Sequence, residues 1–138
     1  MNSKGTLKFA GWFLGLAFIA GLGNANGQQA APPATKGVTV KQLTVVDLGP
    51  EIEGMAGRQL RMRLITLEPG GFFAIHSHKD RPGTVYVLEG KITEQRGEVV
   101  KEYGPGEVWS ENKETTHRVD NKGTTPATIV AVDIFKQQ

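Results

Sequence analysis

The chain has no cysteine among its 138 residues. That excludes disulfides, thiolate nucleophiles, cysteine-based zinc sites and a lipid-modified N-terminal cysteine. A stable fold must then come from packing alone. Long apolar runs are equally scarce. The one that exists, Phe9 to Leu22 (FAGWFLGLAFIAGL), falls short of the roughly 20 residues a helix needs to cross the hydrocarbon core. A lasting membrane span is therefore not expected. Neither sign of charge dominates, with 16 basic residues against 14 acidic ones. No basic run or aromatic-basic stripe offers a footprint for a phosphate backbone, so nucleic acid is not an expected partner. A helical apolar stripe is also missing, since no window of ten or more residues repeats with the 3.6-residue period.

What is present begins with an address. Lys4 and Lys8 precede the apolar run, and the small residues Gly23, Asn24 and Ala25 follow it. This is the layout of a secretory signal peptide. Residues 1–25 are read as that peptide, with cleavage after Ala25 or, by the same small-residue rule, after Gly27. Its removal takes two lysines and no acid, which leaves 14 basic against 14 acidic residues and a neutral mature chain. Residues 26–37 (NGQQAAPPATKG) are small, polar and proline-bearing, and read as a flexible leader.

From Val38 the text changes to short β-branched and aromatic runs broken by glycine, with turn signals about 8–12 residues apart. Residues 38–138 are therefore expected to form one all-β domain, an antiparallel sandwich or small barrel. Pro69-Gly70-Gly71 is read as the end of one strand, Glu89-Gly90 as a turn, and Asn121-Lys122-Gly123 as the close of another strand.

The three histidines of the chain carry the chemistry. His76 and His78 lie two apart in a strand-like run, and residues i and i+2 of a strand share a face. His117 lies in a second short strand, where a barrel can bring it alongside. Three neutral imidazoles on a rigid scaffold make one face of a coordination sphere and leave other positions for water, substrate or oxygen. Ordinary histidines at strand edges would give the same letters, and the frame around them decides.

That frame resembles the cupin superfamily. Its first motif is a glycine, five residues, His-x-His, three or four residues, a glutamate, six residues and a glycine. Here the corresponding residues are Gly70, His76, His78, Gly83 in the glutamate's place, and Gly90. The second motif appears as Gly106, His117 and Asn121, with Asn112 and Glu114 replacing the proline and glycine of its turn. The resemblance implies a double-stranded β-helix, or jelly roll, with one divalent metal ion in the barrel mouth on His76, His78 and His117. Gly83 cannot be a side-chain ligand. The site is then either a three-histidine one, as some cupin dioxygenases use, or it takes a carboxylate from elsewhere. The resemblance also suggests the periplasm over full secretion, and a homodimer formed through edge strands, with ATIVAVDIF supplying either such an edge or the barrel's closing strand.

Glu111 is the best substitute donor and the candidate acid–base, an even six residues before His117. Its plain alternative is a rim residue paired with an arginine. Asp80 and Glu89 read as surface charge. Phe72 and Ala74 share strand parity with the two histidines and are expected to line the pocket, while Tyr86 and Trp109 pack and offer a polar edge. Arg61 and Arg63 alternate with apolar residues, either holding an anionic substrate or lying on a solvated sheet face.

Imidazoles bring no charge, so a bound ion keeps its full +2 and favours an anionic oxygen ligand. Fe, Mn, Cu, Ni and Zn all suit such ligands. The expected function is a small metal-dependent enzyme, oxygenase or isomerase in type, acting on a small anionic organic molecule. The alternative is a module that binds or senses such a molecule without turning it over.

Overall fold

A computed structural model describes residues 34–136. The expected signal peptide and nearly all of the leader lie outside these residues. Eight strands form the domain: β1 (Thr35–Asp47), β2 (Arg58–Ser77), β3 (Gly83–Glu89), β4 (Ile92–Arg96), β5 (Val99–Tyr103), β6 (Val108–Glu111), β7 (Thr116–Asp120) and β8 (Ala127–Lys136). No helix occurs among the described residues. The strands run β5-β4-β7-β2-β8-β3-β6, with β1 paired to β2. All pairings are antiparallel.

The result is a nearly closed barrel, and β2 is its spine. Residues Arg58 to Leu67 pair with β8, and Phe72 to Ser77 pair with β7. The strand passes between the two pairings at Pro69-Gly70-Gly71. The sequence suggested a strand end there; the chain instead bends and continues. Gly70 takes φ 72°, and a Cβ on Gly71 would stand 2.6 Å from the Gly37 carbonyl. Only glycine lets the backbones approach this closely. Asn121 locks the bend: its side chain donates to the Leu67 and Thr125 carbonyls at 2.9 and 2.8 Å, and its backbone pairs with Gly70 and Gly71. The motif asparagine is thus a structural clamp.

Alternation along each strand fills the interior. Leu67, Val87 and Ile92 are wholly buried, with Ile65, Val85, Trp109, Val119 and Ile129 around them. Burying each such side chain contributes roughly 1.5–3 kcal/mol before entropy is counted. Across the far side, Arg96 of β4 donates to the Ser110 carbonyl of β6 at 2.8 Å, which helps close the barrel. Two expectations shift. The first strand starts at Thr35 rather than Val38, inside the expected leader. ATIVAVDIF is an interior strand between β2 and β3, so among the described residues the free edges belong instead to β1, β5 and β6.

Candidate metal centre

The inward-facing rows change character toward one end of the barrel. Along β8 the buried positions run Ala127, Ile129, Ala131 and then Asp133; β6 gives Trp109 and then Glu111; β7 gives Val119 and then His117; β4 gives Ile92 and then Glu94. On β2 the row from Leu67 and Ile65 continues to Arg63 and Arg61. The same period-2 rule that builds the core therefore gathers the charged and imidazole side chains at one mouth.

His76 is paired directly across from His117, and His78 follows just beyond β2, its amide donating to the Thr115 carbonyl at 2.8 Å. The structure brings all three rings together. The His117 Nε2 lies 3.0 Å from the His78 Nε2 and 3.1 Å from the His76 Nε2. Two nitrogens at right angles around an ion about 2.1 Å away would be about 3.0 Å apart, which is the spacing of both pairs that include His117, and all three ligand atoms lie within 4.8 Å of one another.

The outer ring nitrogens fix the protonation pattern. The His76 Nδ1 faces the Ala74 carbonyl at 2.9 Å, the His78 Nδ1 the Arg81 carbonyl at 3.2 Å, and the His117 Nδ1 the Glu94 carboxylate at 2.5 Å. Each is therefore the donor of its ring. A neutral imidazole has one donor and one acceptor, so every Nε2 presents a bare lone pair to the other two. Burial depresses His76 to about 4 and His78 to about 3 from the usual 6.5, which keeps these two rings neutral. The His117 lone pair facing those of His76 and His78 with no proton between them is an arrangement that suits a cation. The histidines are positioned to bind one metal ion.

Glu94 went unrecognised in the sequence. Buried beneath His117, it also accepts from Arg96 Nε at 2.8 Å and from the Tyr103 hydroxyl at 3.2 Å. Burial alone would raise its pKa, but the hydrogen bonds from His117 and Arg96 outweigh it and hold the carboxyl below its ordinary value. A carboxylate behind a ligating imidazole fixes the ring and raises its basicity. Glu94→Gln is expected to weaken metal affinity by about tenfold or more with the fold intact, read by competition with a chelating dye. The signal was an acid on the same inward row as Ile92.

Glu111 does reach the site. Its Oε1 lies 3.6 Å from the His117 Nε2 and accepts from the Trp109 indole at 3.1 Å, while Oε2 lies 3.1 Å from the His78 Nδ1. Burial raises its pKa. Its position explains Gly83, the residue paired with it across β3 and β6. A Cβ at Gly83 would stand 2.8 Å from the Val132 carbonyl and 3.3 Å from the Glu111 carboxylate. The Glu111 carboxylate thus stands in space that a side chain at 83 would need. The altered second-motif turn is held by Asn112, whose Oδ1 accepts from Glu114 N at 3.1 Å and Thr115 Oγ1 at 3.0 Å.

Other expectations sort themselves. Phe73, not Phe72 or Ala74, lines the cavity, because a register shift between Phe73 and His76 breaks the parity; Phe72 instead lies against the Arg118 guanidinium. Trp109 lines the cavity, whereas Tyr86 faces outward, and Asp80 and Glu89 are exposed. Arg61 and Arg63 are no solvated face: both bind the buried Asp133, at 2.9 and 2.8 Å. The cavity beside the histidines holds about 90 Å³. A single water needs roughly 10–15 Å³, so several waters or a small organic molecule fit.

The family profile of the Cupin domain matches residues 63–133. The chain belongs to the cupin family. Among solved structures, this cupin is similar to TT1209 from Thermus thermophilus, at 27% identity over 56% of this chain and 73% of that one, with a TM-score of 0.51. It is similar in fold to the polyketide cyclase RemF from Streptomyces resistomycificus, at 21% identity over 75% and 68% of the two chains and a TM-score of 0.60. KdgF from Halomonas sp. shares the fold at 14% identity over 80% and 87%, with a TM-score of 0.57. No curated protein matches the cupin.

Proposed function

We propose that this cupin is an exported metal-dependent enzyme, of oxygenase or isomerase type, acting on a small anionic organic molecule beside one divalent ion on His76, His78 and His117. The convergence of three bare Nε2 atoms at 3.0 and 3.1 Å carries the reading. When bound, such an ion acts as a Lewis acid toward an oxygen ligand. Fe, Mn, Cu, Ni and Zn all fit the donor set. The chain's own part is to orient the imidazoles through Glu94 and the two carbonyls, and to wall the cavity with apolar side chains. Glu111, held by Trp109, is placed to give or take a proton at the ligand.

That Glu111 is the sole carboxylate among the cavity-lining residues favours the second reading, a module that binds or senses its ligand without turnover. Export, with the periplasm as destination, is supported by the signal-peptide layout of residues 1–25. A homodimer is supported by the exposed Val40, Val45 and Val46 on the free-edged β1.

Elemental analysis of protein purified without a metal-affinity tag tests the site. About one equivalent of ion is expected, and it is lost in His76→Ala. Glu111→Gln then separates the two readings: an enzyme keeps its metal and loses roughly 10²- to 10⁴-fold in turnover. A module keeps both metal and ligand binding. Metal-free wild-type protein would sink the proposal.

A further inference from the structure

Asp133 is almost wholly buried and stands among three guanidinium groups. Arg61 grips it in a fork, Nε to Oδ1 at 3.0 Å and Nη2 to Oδ2 at 2.9 Å. Arg63 gives it a single bond, Nη2 to Oδ2 at 2.8 Å. Arg81 comes no closer than 3.9 Å, beyond hydrogen-bonding distance. Arg61 takes two of the roughly four acceptor sites of the carboxylate. Of the five N–H donors on a guanidinium, Arg63 spends one here, and its buried Nε has no partner at all. A buried donor left unmade is rare in a native protein and calls for a partner such as a water or a ligand.

Arg63 and Arg81 both line the cavity that holds the histidines. The one acid among the residues lining it is Glu111, already held by Trp109 and His78. Even with Asp133 and Glu111 both ionised, the three arginines leave positive charge in excess before any metal ion is added. The remaining wall is apolar, with Ile65, Phe73, Val85, Val119 and Ile129 among its residues. Such a wall suits an organic body and not a bare inorganic oxyanion. A planar guanidinium fork matches a planar carboxylate.

We propose that Arg63 and Arg81 form a carboxylate-binding subsite, and that the ligand is a small organic acid whose carboxylate lies on these two arginines while its body faces the apolar wall. This rests on the reading of the cavity as a ligand site and adds the chemical class of the ligand. Arg63 and Arg81 are specificity residues, separate from the three histidines. Arg61 and Asp133 are positioning residues that aim Arg63.

The test titrates the full chain with pyruvate, lactate and benzoate, and in parallel with their uncharged amides and with sulfate, reading heat of binding and melting temperature. Metal content is measured on the same samples. At least one acid is expected to bind tenfold or more tightly than its amide and than sulfate. Arg63→Gln and Arg81→Gln should each remove that tenfold preference without changing metal content. If Arg63→Gln fails to fold, Arg81→Gln still decides, because Arg81 makes no hydrogen bond to Asp133. No preference for any acid over its amide, equal binding of sulfate, or an unchanged preference in Arg81→Gln overturns the subsite and leaves the metal centre untouched. Wild-type protein without metal removes the metal reading, and the acid-versus-amide comparison then decides the subsite on that same protein.

Discussion

His117→Ala is expected to give a folded protein that retains less than about a tenth of an equivalent of metal, the most complete loss of binding from any single histidine change. His117 is the shared neighbour, with its Nε2 at 3.0 Å from His78 and 3.1 Å from His76. Removing it leaves two donors without the third that closes the face of the coordination sphere. The fold survives because the partners left behind are still paired: Glu94 keeps Arg96 and Tyr103. The wild-type protein should gain about 2.7 kcal/mol from a free ion at 100 times its dissociation constant, and the variant nothing. A chelator should therefore lower the wild-type melting temperature and leave that of His117→Ala unmoved. Stoichiometric metal in the variant would show that the ion sits elsewhere.

The histidines and the barrel were legible because both depend on local spacing. Alternation, glycine corners and the His-x-His pair survive in the order of letters, and so did Glu111, which the missing glutamate at position 83 made conspicuous. The features that escaped depend on register between distant strands. Glu94 looked like one more residue of ITEQR until β4 paired with β7 and set it beneath His117. Arg61 and Asp133 are 72 residues apart, and nothing local says that β2 and β8 place them opposite each other. Phe72 and Phe73 were exchanged because one register shift inverts the parity of everything before it. Pro69-Gly70-Gly71 signals a break in either outcome, and only the neighbouring backbones decide between an ended strand and a bent one.

Asp133→Ala carries the largest expected cost in stability. Its side chain is 1% exposed, and those of Arg61 and Arg63 are 14% and 16% exposed. Deleting the shared anion strands two partly buried cations facing each other, and breaking a buried pair in this way costs about 3–5 kcal/mol. The slight exposure of both arginines places the expected value near the lower end, about 3 kcal/mol. For a domain of this size that lowers the melting temperature by roughly 12–20 °C, measurable by calorimetry. A double variant, Asp133→Leu with Arg61→Met, removes the anion and its principal cation together and is expected to recover much of the loss, since apolar groups of similar volume often replace a buried ion pair without penalty. Recovery of stability without recovery of carboxylate binding would mean that the cluster is kept for the cavity and not for the fold. Asp133 would then serve to hold Arg63 extended toward the ligand. If the double variant stays as unstable as Asp133→Ala, the ion pairs are structural in their own right, and the aim of Arg63 is a by-product of packing.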